Sequence, residues 1–302
     1  MFEARQPDSR GRNPGPGVVM ELDTGIIYAY ASDFLKEDLG RGDITTQSVI
    51  RGGVRARGQF LAKEDLVLCG LEFAEAVFGV LDNTIALESH AYDGQFISSG
   101  TKFARIDGPA AVLLSGERTA LNLLQHMSGV ATLTRVFVDR VRGTGAQIID
   151  TRKTRPGLRL LEKYAVSAGG GRNHRFGLDD GILIKDNHIP LAGGIKRAVE
   201  LARGAAPHLH KIEIEASTLT QVRESLDARA DVIMLDNMQP PEMAEAVRLI
   251  REQAPDTIIE ASGNVTPDNV REVAETGVNL ISVGAITHSA RAMDISMKVS
   301  AL

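Results

Sequence analysis

The chain has 302 residues, 43% hydrophobic and 24% charged, which suits one large or two moderate domains with true cores. No apolar run approaches the roughly 18–20 residues of a membrane helix, and a net charge of −5 is wrong for a general nucleic-acid surface. The only cysteine, Cys69 in "LVLCGLEFA", leaves no internal disulfide and reads as a small buried hydrophobe in a reducing, cytoplasmic setting.

In chain order, residues 1–20 are rich in Pro, Gly and Arg, lack the apolar segment of a secretory signal, and read as a mobile tail. "IIYAYASDFLKEDLGRGDITTQSV" reads as a helix followed by a loop, with its RGD as a turn, and "ARGQFLAKEDLVLCG" reads as strands. "LEFAEAVFGVL" reads as a helix, and "ESHAYDGQFISSGTKFARIDGPAAVLL" as a meander broken by Gly and Asp. From Ser115 to about Val141 the pattern is helical, with Ser115 as its cap and Gly129 as a point of interruption. His126 within it reads as a packing or interface histidine.

The second half repeats one unit. Six short apolar runs, "AQIID", "GILIKD", "KIEIEA", "DVIMLD", "TIIEAS" and "NLISVG", end in polar or small residues and alternate with amphipathic stretches. The last such stretch opens at Thr266–Pro267, a cap followed by proline at the first helical position, and closes at Gly277. No strand leads into a G-x-G-x-x-G turn, so a (β/α) barrel fits better than an open dinucleotide-binding sheet. Six strands make that barrel incomplete unless others are hidden. The expected fold is therefore an N-terminal α/β sandwich (α+β) domain and a C-terminal incomplete (β/α) TIM-like barrel. The expected boundaries are 21–130 and 131–287, with 288–302 as a C-terminal segment packing back on the first domain.

Charge is unevenly spread. Residues 151–185 hold eight Lys and Arg against three acids, a basic island in an acidic chain. In a parallel barrel the strand ends meet at one mouth. They would bring Arg152, Lys153 and Lys185 against Glu215 and Asp236, with Ser262, Gly263, Asn264, Gly284 and Ala285 offering small residues and backbone N–H groups. Each feature has a plainer reading: a surface ion pair for Glu215 or Asp236, a flexible loop for "GGGRNHR", a Schiff-base lysine for Lys185.

Taken together, "ERTALNLLQHMSGVAT", "DTRKTRPGLRLLEKYAV", "GGGRNHRFGLDDGILIKDNHI", "DVIMLDNM" and "EASGNVTPDNV" with "ISVGAITHSARAMDISMKV" resemble the quinolinate phosphoribosyltransferase family from about "EDLGRGDITT" to the C-terminus. The resemblance implies decarboxylating transfer between quinolinate and phosphoribosyl pyrophosphate (PRPP), giving nicotinate mononucleotide, CO2 and pyrophosphate in NAD biosynthesis. Mg2+ accompanies PRPP and no organic cofactor is expected. The resemblance also implies a homodimer with shared sites, and neither nucleic acid nor membrane as partner. It maps quinolinate contacts onto Arg152, His174, Arg175 and Lys185, with Arg118 reaching in from the partner subunit. It maps PRPP and phosphate contacts onto Thr151, Lys153, Glu215, Asp236, Ser262, Gly263, Asn264, Val283, Gly284 and Ala285. Lys153, Lys185, Glu215 and Asp236 become the catalytic set, and Glu215 and Asp236 the metal side, reached through water. Three other readings stay open on residues alone: a related transferase with another acceptor, a Schiff-base aldolase using Lys185, and a catalytically silent phosphosugar-binding protein.

Overall fold

A computed structural model describes residues 20–302, so the tail expected over 1–20 lies outside the described residues except for Met20. Asp23 accepts a hydrogen bond from the Gly25 N–H and starts helix α1 (Thr24–Leu39). Asp43, the acid of the RGD turn, accepts from the Thr46 N–H at 2.9 Å and starts a second helix, α2 (Ile44–Val49), where a loop was expected. Strand β1 (Arg55–Ala62) alternates buried and open positions, the period of a sheet with one covered face. Strand β2 (Leu66–Val67) leads into helix α3 (Leu71–Leu81), then β3 (Leu87–Ser89), β4 (Phe96–Ile97) and β5 (Lys102–Pro109). β1 and β3 both pair antiparallel with β5, while β2 and β4 form a separate two-stranded piece.

Helix α4 (Ala110–Arg140) begins directly after β5, with Pro109 at its N-cap. The apolar "AAVLL" is its first turn and not a strand, and Ser115 is not its cap. The Ser115 hydroxyl instead donates to Asp43 Oδ2 at 3.0 Å. Gly129 does not interrupt the helix. A Cβ there would collide with the Arg291 carbonyl, so glycine permits a close backbone crossing.

Six strands then build one parallel sheet: β6 (Gln147–Ile149), β7 (Ile182–Ile184), β8 (Ile212–Ala216), β9 (Val232–Asp236), β10 (Ile258–Ser262) and β11 (Leu280–Ser282). Their order is β6-β11-β10-β9-β8-β7. Every apolar run read as a strand is one. The helices Arg159–Ala168, Ile195–Ala205, Leu219–Asp227 and Pro240–Gln253 lie between them. The stretch read as capped by Thr266 holds a shorter helix, Val270–Glu275, with Asn269 as its N-cap; Thr266 joins through its backbone, its carbonyl accepting from the Val270 N–H and its own N–H donating to Asn269 Oδ1 at 2.8 Å. Gly277, at φ 92°, does close that turn.

The outer strands β6 and β7 do not pair with each other. The loop between them adds one bridge, Ile149 to Arg172, beside β6. This is an incomplete barrel. The final strand, β12 (Ile295–Ala301), returns to the first sheet and pairs antiparallel with β1, giving the order β12-β1-β5-β3.

Candidate active site

Period-two alternation along β8 buries Ile212 and Ile214 under the helices and turns Glu213 and Glu215 into the barrel. At the carboxyl end, Glu215 Oε1 accepts from Lys185 Nζ, and Glu215 Oε2 accepts from the Asp186 N–H at 3.1 Å. Asp236 ends the neighbouring strand. Burial raises its carboxyl above the usual carboxylate range, and nearby Glu215 adds to this, against a hydrogen bond from Asn237 and the Lys185 charge.

Asn237 Nδ2 donates to Asp236 Oδ2 at 2.8 Å, and Asn237 Oδ1 accepts from Asn264 Nδ2 at 3.1 Å. Asn237 and Asn264 both have left-handed backbone, with φ 56° and 51°, one residue or two past their strands. Between them in space sits Gly263, at φ 98°, where a Cβ would run into the Asn237 side chain. The backbone N–H groups of Gly263, Asn264, Gly284 and Ala285 donate to no backbone carbonyl among the described residues. Across the mouth, the Thr151 hydroxyl accepts from the Lys153 N–H at 3.0 Å, and the Thr287 hydroxyl donates to the Lys153 carbonyl at 2.8 Å. The first bond shapes the loop after β6, the second ties it to the turn after β11, and the Lys153 stem lies against Gly284.

The basic wall comes from two segments. Arg175 Nη1 donates to the Gly181 carbonyl at 2.8 Å. Burial pushes its guanidinium below the usual range, and the adjacent Arg152 charge pushes the same way. The Nε groups of both Arg152 and Arg175 are buried and have no acceptor among the described residues. Behind them Asp150 accepts from Lys163 Nζ at 2.6 Å and from the His174 N–H at 2.7 Å, and Lys163 also donates to the His174 carbonyl at 2.9 Å. Asp150 and Lys163 are both 0% exposed.

Not every cation of the basic island faces the mouth. Arg155, from the same "DTRKTRPG" cluster, turns away: its guanidinium donates to His126 Nδ1 at 2.8 Å and to the Ala290 carbonyl at 3.3 Å. Its backbone N–H donates to Glu162 Oε2 at 3.1 Å. His126 is thus a packing residue where the two halves of the chain meet. Arg118 is exposed on α4, in the N-terminal half of the chain.

Sequence reasoning missed four features: Asn237, the Asp150–Lys163 pair, and the acids Glu213 and Glu260. The two acids were visible as charges set inside "KIEIEA" and "TIIEAS", since an acid in a fully buried strand has to face something.

A barrel mouth that sets arginines and lysines against two carboxylates, with glycine-bearing turns at the last strands, defines an enzyme of small polyanionic substrates. Comparison with known proteins is more specific. The family descriptions "Quinolinate phosphoribosyl transferase, N-terminal domain" and "C-terminal domain" match residues 43–128 and 130–298. A probable nicotinate-nucleotide pyrophosphorylase [carboxylating] of Bacillus subtilis is 47% identical over 268 residues, 88% of this chain and 91% of that protein. One from Methanocaldococcus jannaschii is 43% identical, covering 91% and 99%. Among solved structures, NadC from Streptococcus pyogenes superposes with a TM-score of 0.89 at 37% identity, over 94% of this chain and 99% of that one. A nicotinate-nucleotide pyrophosphorylase from Ehrlichia chaffeensis gives 0.86 at 40% identity, over 93% and 100%. The chain belongs to the quinolinate phosphoribosyl transferase family.

Proposed function

We propose that the chain catalyses decarboxylating phosphoribosyl transfer: quinolinate and PRPP become nicotinate mononucleotide, CO2 and pyrophosphate. The observation that carries this reading is the pair of buried, unpaired Nε groups on Arg152 and Arg175. A buried donor without a partner costs about 1–3 kcal/mol, and two planar guanidinium forks side by side match two adjacent carboxylates. Lys185 completes the receptor on this chain, and His174 lies beside it with its ring against the Arg175 N–H. Thr151, Lys153, Ser262 to Asn264 and Val283 to Ala285 receive the phosphoribosyl and pyrophosphate groups.

In the first step the pyridine nitrogen lone pair forms the bond to the ribose C1 as the C1–oxygen bond breaks, and pyrophosphate leaves with the electron pair. Positive charge on the ribose is steadied by Glu215 and Asp236, while Lys153 and Lys185 hold the departing anion. In the second step the C2–carboxylate bond breaks, CO2 departs, and the electron pair stays on C2 beside the cationic ring nitrogen until a proton replaces it. Glu215 and Asp236 offer the oxygen donors Mg2+ takes, and their like-charge conflict is one a cation relieves. Held by these two carboxylates, Mg2+ would supply positive charge to offset that of the pyrophosphate.

Arg118 reaches the site from the partner subunit of a homodimer, in keeping with its exposure on α4. The lone cysteine, buried and free, suits a reducing cytoplasmic compartment. No described helix is long and apolar enough to cross a membrane. Engagement of Lys185 by Glu215 does not favour the aldolase reading, which needs a desolvated lysine in an apolar pocket. Quinolinate labelled with carbon-13 in the 2-carboxylate tests the reaction. Labelled CO2 should appear in equal amount with pyrophosphate, and pyrophosphate without labelled CO2 overturns the assignment.

A further inference from the structure

The barrel interior holds two buried acids that the reaction above does not use. Glu213 on β8 and Glu260 on β10 are 7% and 1% exposed, and His174 enters between them from the loop that fills the open side. His174 Nε2 lies 3.2 Å from Glu213 Oε2 and 3.7 Å from Glu260 Oε2. The Oε1 atoms of both acids are buried with no partner among the described residues. One carboxylate and one histidine would be an ordinary pair; a second buried acid requires an explanation.

Two occupants resolve the crowding, a metal ion or a proton. Three candidate ligand atoms, one from each residue, lie within 4.8 Å of one another, compact enough for an ion. The other ring nitrogen decides against it. His174 Nδ1 accepts the Arg175 backbone N–H at 2.7 Å, so its lone pair is committed and the ring proton sits on Nε2. A protonated Nε2 donates to Glu213 and has no lone pair for a metal. Burial, followed by the neighbouring Glu213 charge, pushes the Glu260 carboxyl well above the usual range, which leaves it as the neutral acid of the pair.

We infer that Glu213 and Glu260 are positioning residues: a buried acid–carboxylate pair grips the His174 ring by its Nε2–H and so fixes the adjacent Arg175 in the carboxylate receptor. The consequence for quinolinate rests on the function proposed above; the geometry of the ring does not. Nitrogen-15 NMR of the unliganded protein should find His174 as the neutral Nε2–H tautomer. Glu213→Ala should abolish that signature and weaken quinolinate binding by roughly tenfold, since the acceptor of a buried N–H is lost, with the PRPP Kd within about twofold of wild type. Glu260→Gln, a neutral stand-in for the protonated acid, should retain the tautomer and both affinities. An Nδ1–H tautomer, or a stoichiometric metal ion by elemental analysis of the purified protein, overturns the inference. So does a Glu213→Ala variant with unchanged quinolinate affinity, or one that loses both substrates equally. If the wild type shows the Nε2–H signature but binds no quinolinate, the substrate assignment fails and the inferred link to it fails with it, while the ring geometry stands.

Discussion

Arg152 and Arg155 stand three positions apart in one basic cluster, yet their surroundings give them different work. Arg152 has a buried N–H with no acceptor among the described residues, whereas Arg155 spends its guanidinium on His126 and the Ala290 carbonyl. Arg152→Ala should therefore weaken quinolinate binding by about 2 kcal/mol or more, because a desolvated carboxylate loses its partner; calorimetry would read this as a Kd raised some thirtyfold, and an unchanged Kd would remove Arg152 from the receptor. The Asp150–Lys163 pair belongs to the same scale. Asp150→Ala strands a fully buried ammonium and should cost about 3–5 kcal/mol in denaturant unfolding. Adding Lys163→Met should recover much of it, since the stranded charge is then gone. The residue types of the mouth were legible in the sequence because strand-end cations and acids have few other reasons to recur. The direction in which Arg155 points was not, because it depends on His126 and Glu162, 29 positions before and seven after it. Glu213 and Glu260 were visible as charges inside apolar strands, but what they face was not, because it depends on the sheet closing on itself.

At the scale of elements, the six barrel strands were readable as apolar, β-branched runs ending in polar residues, and all six were found. Helix starts were harder. The apolar "AAVLL" following β5 has no period long enough to separate strand from helix, and the cap-like Ser115 answers to Asp43 from a distant segment. Gly129 looked like an interruption because its cause lies 162 residues away in sequence, at the Arg291 carbonyl. Gly129→Ala should accordingly destabilise the protein by about 1–3 kcal/mol through overpacking against backbone. Thermal unfolding should register a clear fall in Tm, and an unchanged Tm would mean that the crossing of α4 and the C-terminal segment is looser than described.

Across the whole molecule, β12 stitches the end of the chain to the first sheet, and α4 runs from that sheet to the start of the barrel. Asp93, in the N-terminal half, accepts from Tyr164 of the barrel at 2.9 Å, so the two halves share polar as well as apolar contacts. The barrel is thus joined to the first sheet at both ends, and Arg118 is exposed on the long helix that links them. If Arg118 serves a partner's mouth, Arg118→Ala and Lys185→Ala homodimers should each be nearly inactive. Mixing them under conditions of subunit exchange should restore about a quarter of wild-type activity, by the statistics of intact sites in random dimers. No restoration would confine each site to one chain.

The central claim is that paired guanidiniums select an acceptor with two adjacent carboxylates. Pyrophosphate release with PRPP and Mg2+, measured side by side with quinolinate and with nicotinate as acceptor, tests it most directly. Rapid release with quinolinate and little or none with nicotinate is the predicted result; equal rates with both, or release with nicotinate alone, would contradict it.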